Sequence, residues 1–135
     1  MDGAVIISTP QKIALSDVKR GINMFDKLNV PIIGLVENMS WFSPADDTKK
    51  KYYIFGKEGG KNLSKDLGVP LLSSFPLLET VRESSDVGRP AALQNNKNSD
   101  MFKNFAEQVI KKTNERNTSL SKTKRVKITH TKGCS

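Results

Sequence analysis

The sequence predicts an α/β fold built on a small parallel sheet, and three observations support this class. Two short apolar runs rich in β-branched residues, at positions 4–7 and 31–36, are typical of strands buried on both faces. The segment between them has apolar residues at helical spacing. The connections are short, so strand, helix and strand predict a right-handed βαβ unit.

The first strand, 4–7, ends at a Ser-Thr-Pro turn, and a helix follows it. The second strand, 31–36, leads into the polar pair Glu37 and Asn38. We expect a loop over 39–51 and a short strand or extended stretch over 52–55. One face of the first helix carries Val18, Ile22, Phe25 and Leu28.

The second half of the chain predicts a helix over 57–67 that Gly68 ends, and a third strand over 69–75 that Pro76 ends. A short helix over 77–85 and an irregular stretch over 87–98 follow. We expect a last helix capped by Ser99 or Asp100, whose pattern fades after Lys112. With three strands, the sheet is expected to leave an edge strand exposed at 4–7.

Charge divides the chain into two parts. From Lys111 to Ser135 eight Lys or Arg residues face a single acid, whereas the rest is nearly neutral. We therefore expect a partial domain over 1–112 and a basic, disordered tail over 113–135. Such a tail could also bind nucleic acid or anionic lipid, but it has no interleaved aromatic residues and no apolar helical stripe, so we expect neither partner.

Cysteine content and hydropathy exclude several classes of protein. Cys134 is the only cysteine, so the sequence cannot form an internal disulfide or a four-thiolate metal site by itself. No apolar stretch approaches the roughly 20 residues that a membrane-spanning helix needs. No signal peptide is visible at the N-terminus, and we expect a cytoplasmic location.

Five stretches, in order, resemble one family. They are DGAVIISTPQ at 2–11, KRGINMF at 19–25, VPIIGLVENMS at 30–40, IFGKEGG at 54–60 and PLLETVRESSDVGRP at 76–90. Together they resemble the Mrp/ApbC iron–sulfur cluster carrier ATPases, which are deviant P-loop proteins of the MinD-like superfamily. The resemblance covers roughly residues 2–112.

The resemblance implies the C-terminal half of a doubly wound parallel-sheet P-loop NTPase fold, with about three strands and flanking helices. In the whole family fold, a Gly-rich loop and an Asp-x-Pro-Pro-Gly segment bind the phosphates and magnesium. The sequence contains no G-x-x-x-x-G-K-[ST] motif, and segment 56–60 lacks the Lys-Ser/Thr ending. We expect segment 56–60 to be a flexible connection that starts a helix. We also expect the chain alone not to hydrolyse ATP, because charge stabilisation around the phosphates is missing.

The same resemblance implies that the adenine side of an ATP site is retained. It places Asn38 against the base, because an amide offers both a donor and an acceptor. It places Pro76 and Leu77 alongside the base. Asn38 could instead satisfy backbone groups at a strand end, and Pro76 could simply terminate its strand.

One departure from the family concerns the iron–sulfur cluster. Many members carry Cys-x-x-Cys between the Asn-Met-Ser and Ile-Phe-Gly segments, and here residues 41–51 contain no cysteine. Asp46 and Asp47 are hard oxygen donors that suit such a cluster poorly. We therefore assign no metal ligand and no catalytic residue. Trp41 and Phe42 could contact a partner or pack beneath their own loop.

The function implied by the resemblance is that of an iron–sulfur cluster carrier or assembly protein that binds ATP on the adenine side. Its expected partners are a second copy or a complementing N-terminal half, with apo iron–sulfur proteins as clients. Magnesium would come through that missing half. The alternative is a non-functional or split-gene fragment with no independent activity.

Overall fold

The computed structural model describes residues 2–44, 46–94 and 96–121. A parallel sheet of three strands carries the helices of this part of the chain. In chain order the elements are β1 Ala4–Ser8, α1 Lys12–Lys27, β2 Ile32–Glu37, α2 Gly59–Leu67, β3 Leu71–Ser74, α3 Glu79–Asp86, a short 3-10 turn Ala91–Leu93 and α4 Lys97–Ser119. The predicted α/β class with about three parallel strands is confirmed.

The strands lie in the order β1-β2-β3, with β2 in the centre. Ser8 pairs with Glu37, and Glu37 pairs with Ser74, so the three strands end at the same edge of the sheet. Within the described ranges, β1 pairs with β2 alone and its other side faces no strand. The expected exposed edge is therefore present at β1, where Ile7 is 61% exposed.

Helices cover the two faces of the sheet. Leu35 of β2 is buried with Ile22 of α1 and Leu63 of α2, which places both helices on its face. Successive residues of a strand point to opposite faces, so Val36 faces the other side. There Val36 lines a cavity together with Phe102 of α4. Because helices cover both faces of the sheet, the strand sequences are continuous apolar runs rather than alternating ones.

The last helix begins and ends at other residues than the sequence predicts. Asn96 is its capping residue, and its side-chain oxygen accepts hydrogen bonds at 3.0 Å from the N–H groups of Asn98 and Ser99. The prediction of Ser99 or Asp100 as the cap is wrong, because Ser99 is already helical and completes the capping box from within. The helix continues to Ser119, beyond Lys112.

The boundary between domain and tail at residue 112 stays a prediction, and residues 122–135 with Cys134 lie outside the described residues. The stretch 52–55 forms no regular strand. Tyr52 makes an isolated antiparallel bridge to Phe42, and Phe42 makes a parallel bridge to Leu77. None of the helices described is both long and apolar enough to cross a membrane.

Candidate functional site

The carboxyl ends of the three strands form one edge, and the loops that leave this edge are bonded to each other. The N–H of Asn38 donates to the carbonyl of Ser8 at 2.7 Å. The N–H of Phe75 donates to the carbonyl of Glu37, and the N–H of Ser40 donates to the carbonyl of Phe75, both at 2.8 Å. Ligands of open α/β sheets bind outside this edge, which makes these loops the candidate site.

An apolar cavity of about 340 Å³ opens beside two of the three residues predicted for the site. Asn38 and Pro76 both line it, whereas Leu77 does not. Instead, the N–H of Leu77 donates to the carbonyl of Trp41 at 2.7 Å, which ties it to the preceding loop. The structure therefore brings Asn38 and Pro76 together and places Leu77 beside them, in the loop wall.

The Asn38 side chain serves its own turn and keeps spare hydrogen-bonding capacity. Its Oδ1 accepts from the N–H of Met39 at 3.0 Å, and Met39 has a left-handed φ of 55°. This is the local role expected of an asparagine at a strand end. The Asn38 amide nitrogen makes no hydrogen bond to any residue that the structure describes, so both of its N–H groups can serve a ligand.

Aromatic side chains build one wall of the cavity. The Phe75 ring stacks on Phe102 with centroids 5.0 Å apart and meets Phe105 edge-on at 5.5 Å. Such pairs form a rigid apolar surface. The other wall includes Ile7, whose exposure leaves the cavity open on the side of the β1 edge. An apolar, partly aromatic cavity with one amide at its rim suits a flat heterocycle.

Glu37 is a site residue that the sequence analysis missed. It is only 6% exposed, and its Oε2 accepts a hydrogen bond of 2.6 Å from the N–H of Gly60. Gly60 lies in the first turn of α2, where the helix dipole favours a negative charge. Glu37 thus fastens the start of α2 to the carboxyl edge next to Asn38. The sequence held one signal for this contact, the glycine pair at 59–60.

The glycine-rich segment 56–60 packs closely against the sheet edge. Gly59 and Gly60 are the first residues of α2, which begins two residues after the predicted start at position 57 because Glu58 has a left-handed φ of 57°. A Cβ on Gly59 would overlap the carbonyl of Pro10, and one on Gly60 would lie 3.0 Å from Glu37 Oε2. Only glycine lets the backbone approach so closely. The segment therefore joins α2 to the ends of β1 and β2.

Glu58, just before α2, has the one clearly perturbed carboxyl in this segment. Its Oε1 lies 3.1 Å from Lys61 Nζ. The hydrogen bond from Lys61, together with the charge of that ammonium, holds the pKa of Glu58 below its ordinary value. The pair is exposed and contributes surface charge rather than a reactive group.

The stretch in which the resemblance leads one to look for cysteines contains a turn within residues 46–51 and the aromatic residues Trp41 and Phe42. The N–H of Lys49 donates to Asp47 Oδ1 at 3.2 Å, so this carboxylate serves the turn. Lys51 Nζ lies 4.1 Å from the centroid of the Trp41 ring, and Phe42 is partly exposed. In the described part of the chain, no three His, Cys, Asp or Glu residues converge as metal ligands would.

A family model of known proteins covers most of this chain. The ParA model, described as NUBPL iron-transfer P-loop NTPase, matches residues 1–112. The iron–sulfur cluster transfer protein NUBPL of Dictyostelium discoideum is 43% identical over 113 residues, which are 82% of this chain and 35% of that protein. The iron–sulfur cluster carrier protein of Synechocystis is 48% identical over 90 residues, which are 67% of this chain and 26% of that protein.

A solved structure agrees with these relatives. The nucleotide-binding protein of Archaeoglobus fulgidus, in complex with ADP, superposes with a TM-score of 0.57 at 29% identity, covering 65% of this chain and 36% of that one. The chain thus spans between about a quarter and just over a third of the length of these proteins. The match over 1–112 includes all five stretches that carry the resemblance. The chain therefore belongs to the ParA family of NUBPL-type iron-transfer P-loop NTPases.

Proposed function

We propose that this chain supplies the base-binding edge of a nucleotide-dependent iron–sulfur cluster carrier, with ATP as the nucleotide. The observation that carries the proposal is the meeting of Asn38 and Pro76 at one apolar cavity on the carboxyl edge of the sheet. A relative of the same fold was solved with ADP, which supports a nucleotide as the ligand.

The chemistry of the cavity supports adenine as the part of the nucleotide that enters. The Asn38 amide nitrogen offers two donors, and its Oδ1 keeps one lone pair after bonding Met39. Adenine presents ring acceptors and an amino donor, so an amide can pair with its edge. The apolar wall around Phe75 would cover the ring, and Pro76 would lie along it. Leu77 acts indirectly, by holding Pro76 in the loop.

The phosphate side of the site lies outside this sequence in our proposal. A phosphate-binding loop would have to supply backbone N–H groups, a lysine and magnesium around the β- and γ-phosphates. The exposed side of β1 is the natural place for the strand that leads into such a loop, because its backbone groups are unpaired within the described residues. The chain by itself is then expected to bind the base weakly and not to hydrolyse ATP.

The iron–sulfur cluster is the cargo of the proposed function, and this chain does not offer a set of ligands for it. Cluster binding needs several thiolates, whereas Cys134 is the only cysteine of the sequence. We therefore propose that the cluster ligands come from a partner, either a second polypeptide or a complementing half. Apo iron–sulfur proteins are the proposed clients.

Adenosine tests the base site separately from the phosphate site. Saturation-transfer NMR on the 135-residue chain is expected to detect adenosine binding at millimolar concentration. The substitution Asn38→Ala should abolish the transfer, because it removes the only amide at the cavity rim in the described residues. Asn104→Ala, in the exposed middle of α4, is the matched control and should bind like the parent.

Two outcomes would count against the proposal. If Asn38→Ala binds adenosine as well as the parent does, the base site lies elsewhere. If neither the parent nor the control binds adenosine, although circular dichroism shows that both are folded, the proposed base site is wrong and the fragment without independent activity becomes the better interpretation.

A further inference from the structure

A groove lies on the opposite face of the sheet from the apolar cavity beside Asn38 and Pro76, here called the base cavity. It has a volume of about 480 Å³ and is lined by residues of α1 and α2 and by Phe55 and Gly56. Its apolar floor includes Leu15 and the buried Leu63. Because α1 and α2 cover one face and the base cavity opens on the other, the proposed nucleotide site makes no use of this groove.

Three lysines surround this groove. Lys12 and Lys19 belong to α1, and Lys57 precedes α2. Within the described ranges, none of the three forms an ion pair with a carboxylate. Lys57 Nζ lies 5.2 Å from the centroid of the Tyr53 ring, which holds the ammonium without neutralising it. With Asp66 as the acid of the lining, the groove carries an excess of positive charge.

The spacing of the charges indicates what shape of anion would fit. Lys12 and Lys19 are seven residues apart on one helix, which places them on the same face about 10 Å apart. An anion with two separated charges can meet each lysine without drawing the two ammonium groups together. In an extended polypeptide, side chains four positions apart point to the same side and lie about 13 Å apart, so two such acidic residues can each meet one of these flexible lysines.

The groove is held in shape before any ligand arrives. Gly59 packs against the carbonyl of Pro10, and Gly56 has a φ of 100° that restricts substitution by other residues. A preformed site avoids the entropy cost of ordering its loops on binding. The Asn62 side chain lines the groove and makes no hydrogen bond to the described residues, so its amide can pair with a peptide backbone.

We propose that this groove docks an acidic polypeptide segment of a partner protein, with carboxylates on Lys12, Lys19 and Lys57 and an apolar side chain on the Leu15–Leu63 floor. Charge complementarity and the apolar floor together favour a peptide over a nucleic acid. A nucleic acid would need exposed rings on which its bases could stack. Among the described residues that line the groove, the one aromatic side chain is Phe55, which is half-buried, and the exposed Tyr53 lies outside the lining.

Fluorescence anisotropy with a labelled peptide tests the proposal on the full chain. The probe is the fluorescein-labelled octapeptide Glu-Glu-Leu-Glu-Glu-Leu-Glu-Glu, and a peptide with serine in place of leucine has the same charge. The triple variant K12E/K19E/K57E should weaken binding of the leucine peptide at least about tenfold. The matched control K97E/K103E/K111E makes the same change of net charge on the exposed side of α4 and should weaken binding less than about threefold.

The outcomes separate docking in the groove from general attraction to a basic chain. Equal weakening by the two triple variants, or no binding of the leucine peptide to the parent, would overturn the proposal. So would a labelled eight-residue oligothymidylate that binds in a groove-dependent way while the peptide does not. The serine peptide should bind more weakly than the leucine peptide, and equal affinity would contradict the apolar floor.

A measurement on the parent keeps the test valid if the triple variant fails to fold. In 15N-labelled chain, the leucine peptide should shift the amide signals of Gly56 and Asn62 more than those of Lys103 and Lys111. Shifts that are uniform along the chain, or that concentrate on α4, would contradict docking between α1 and α2.

Discussion

Gly21 and Gly59 are both helical glycines, but their surroundings differ. Nothing lies within 4 Å of the position that a Cβ on Gly21 would take, whereas a Cβ on Gly59 would overlap the backbone carbonyl of Pro10. We expect Gly59→Ala to lower the free energy of unfolding by about 1–3 kcal/mol, because the sheet edge and α2 must separate to admit the methyl group.

Gly21→Ala is the matched control for that substitution. It should raise the free energy of unfolding by about 1 kcal/mol, since alanine is the better helix former and meets no neighbour. Urea unfolding followed by circular dichroism measures both values. If the Gly59 variant proves as stable as the parent, α2 does not depend on close contact with Pro10.

At the scale of the element, α4 depends on a cap that its own sequence supplies. The Asn96 side-chain oxygen accepts hydrogen bonds from two backbone N–H groups, and the N–H of Asn96 donates to Ser99 Oγ at 3.3 Å. Asn96→Ala should therefore lower the free energy of unfolding by about 1 kcal/mol. Asn96→Gly should lower the free energy of unfolding by only about 0.3 kcal/mol. Thermal unfolding of the two variants beside Asn104→Ala, a change within the helix, measures the difference.

Asn104→Ala should cause no loss, because alanine is the better helix former, and an Asn96→Ala variant no less stable than Asn104→Ala would show that the cap adds nothing. The comparison is informative because both changes remove an asparagine side chain from an exposed position of α4 or its cap. Only Asn96 bonds the free N–H groups of the first turn.

The strands and most helices could be predicted because each is encoded by a local apolar pattern. The second strand was expected over 31–36 and is observed at Ile32–Glu37, since its pairing with β1 continues through a polar residue. Contacts between distant residues could not be predicted in this way. Glu37 and Gly60 are 23 positions apart, and the residues around Glu37 give no indication that its carboxylate will bond the N–H of Gly60.

The candidate site shows the same limit. The resemblance predicted that Asn38, Pro76 and Leu77 all contact the base, but of these three only Asn38 and Pro76 line the cavity. The position of Leu77 is set by the β-bridge that its backbone makes with Phe42. That bridge joins loops far apart in sequence, so the directions of Pro76 and Leu77 depend on tertiary structure.

At the scale of the whole molecule, the side of β1 that pairs with no strand in the described residues is the surface most prone to association. Ile7 is 61% exposed on an edge strand, a combination that favours pairing between chains. We expect Ile7→Lys to reduce self-association at high concentration, because a lysine on an edge strand opposes pairing. Sedimentation velocity measures the change.

Ile13→Lys gives the control, with the same added charge at a residue that is 76% exposed on α1. It should leave self-association close to that of the parent. Should both lysine variants dissociate the chain equally, net charge rather than the β1 edge governs association.

Phe42 belongs to two pairings at once. Its backbone exchanges two hydrogen bonds of 2.8 Å with Tyr52, and its bridge to Leu77 reaches the residue next to Pro76. The aromatic loop and the wall of the base cavity are thus mechanically linked. If the proposed base site is correct, a partner that immobilises the loop would also restrict Pro76, and a base held against Pro76 would restrict the loop. Since such coupling is reciprocal, nucleotide binding would change the affinity for the partner by the same factor as partner binding changes the affinity for the nucleotide.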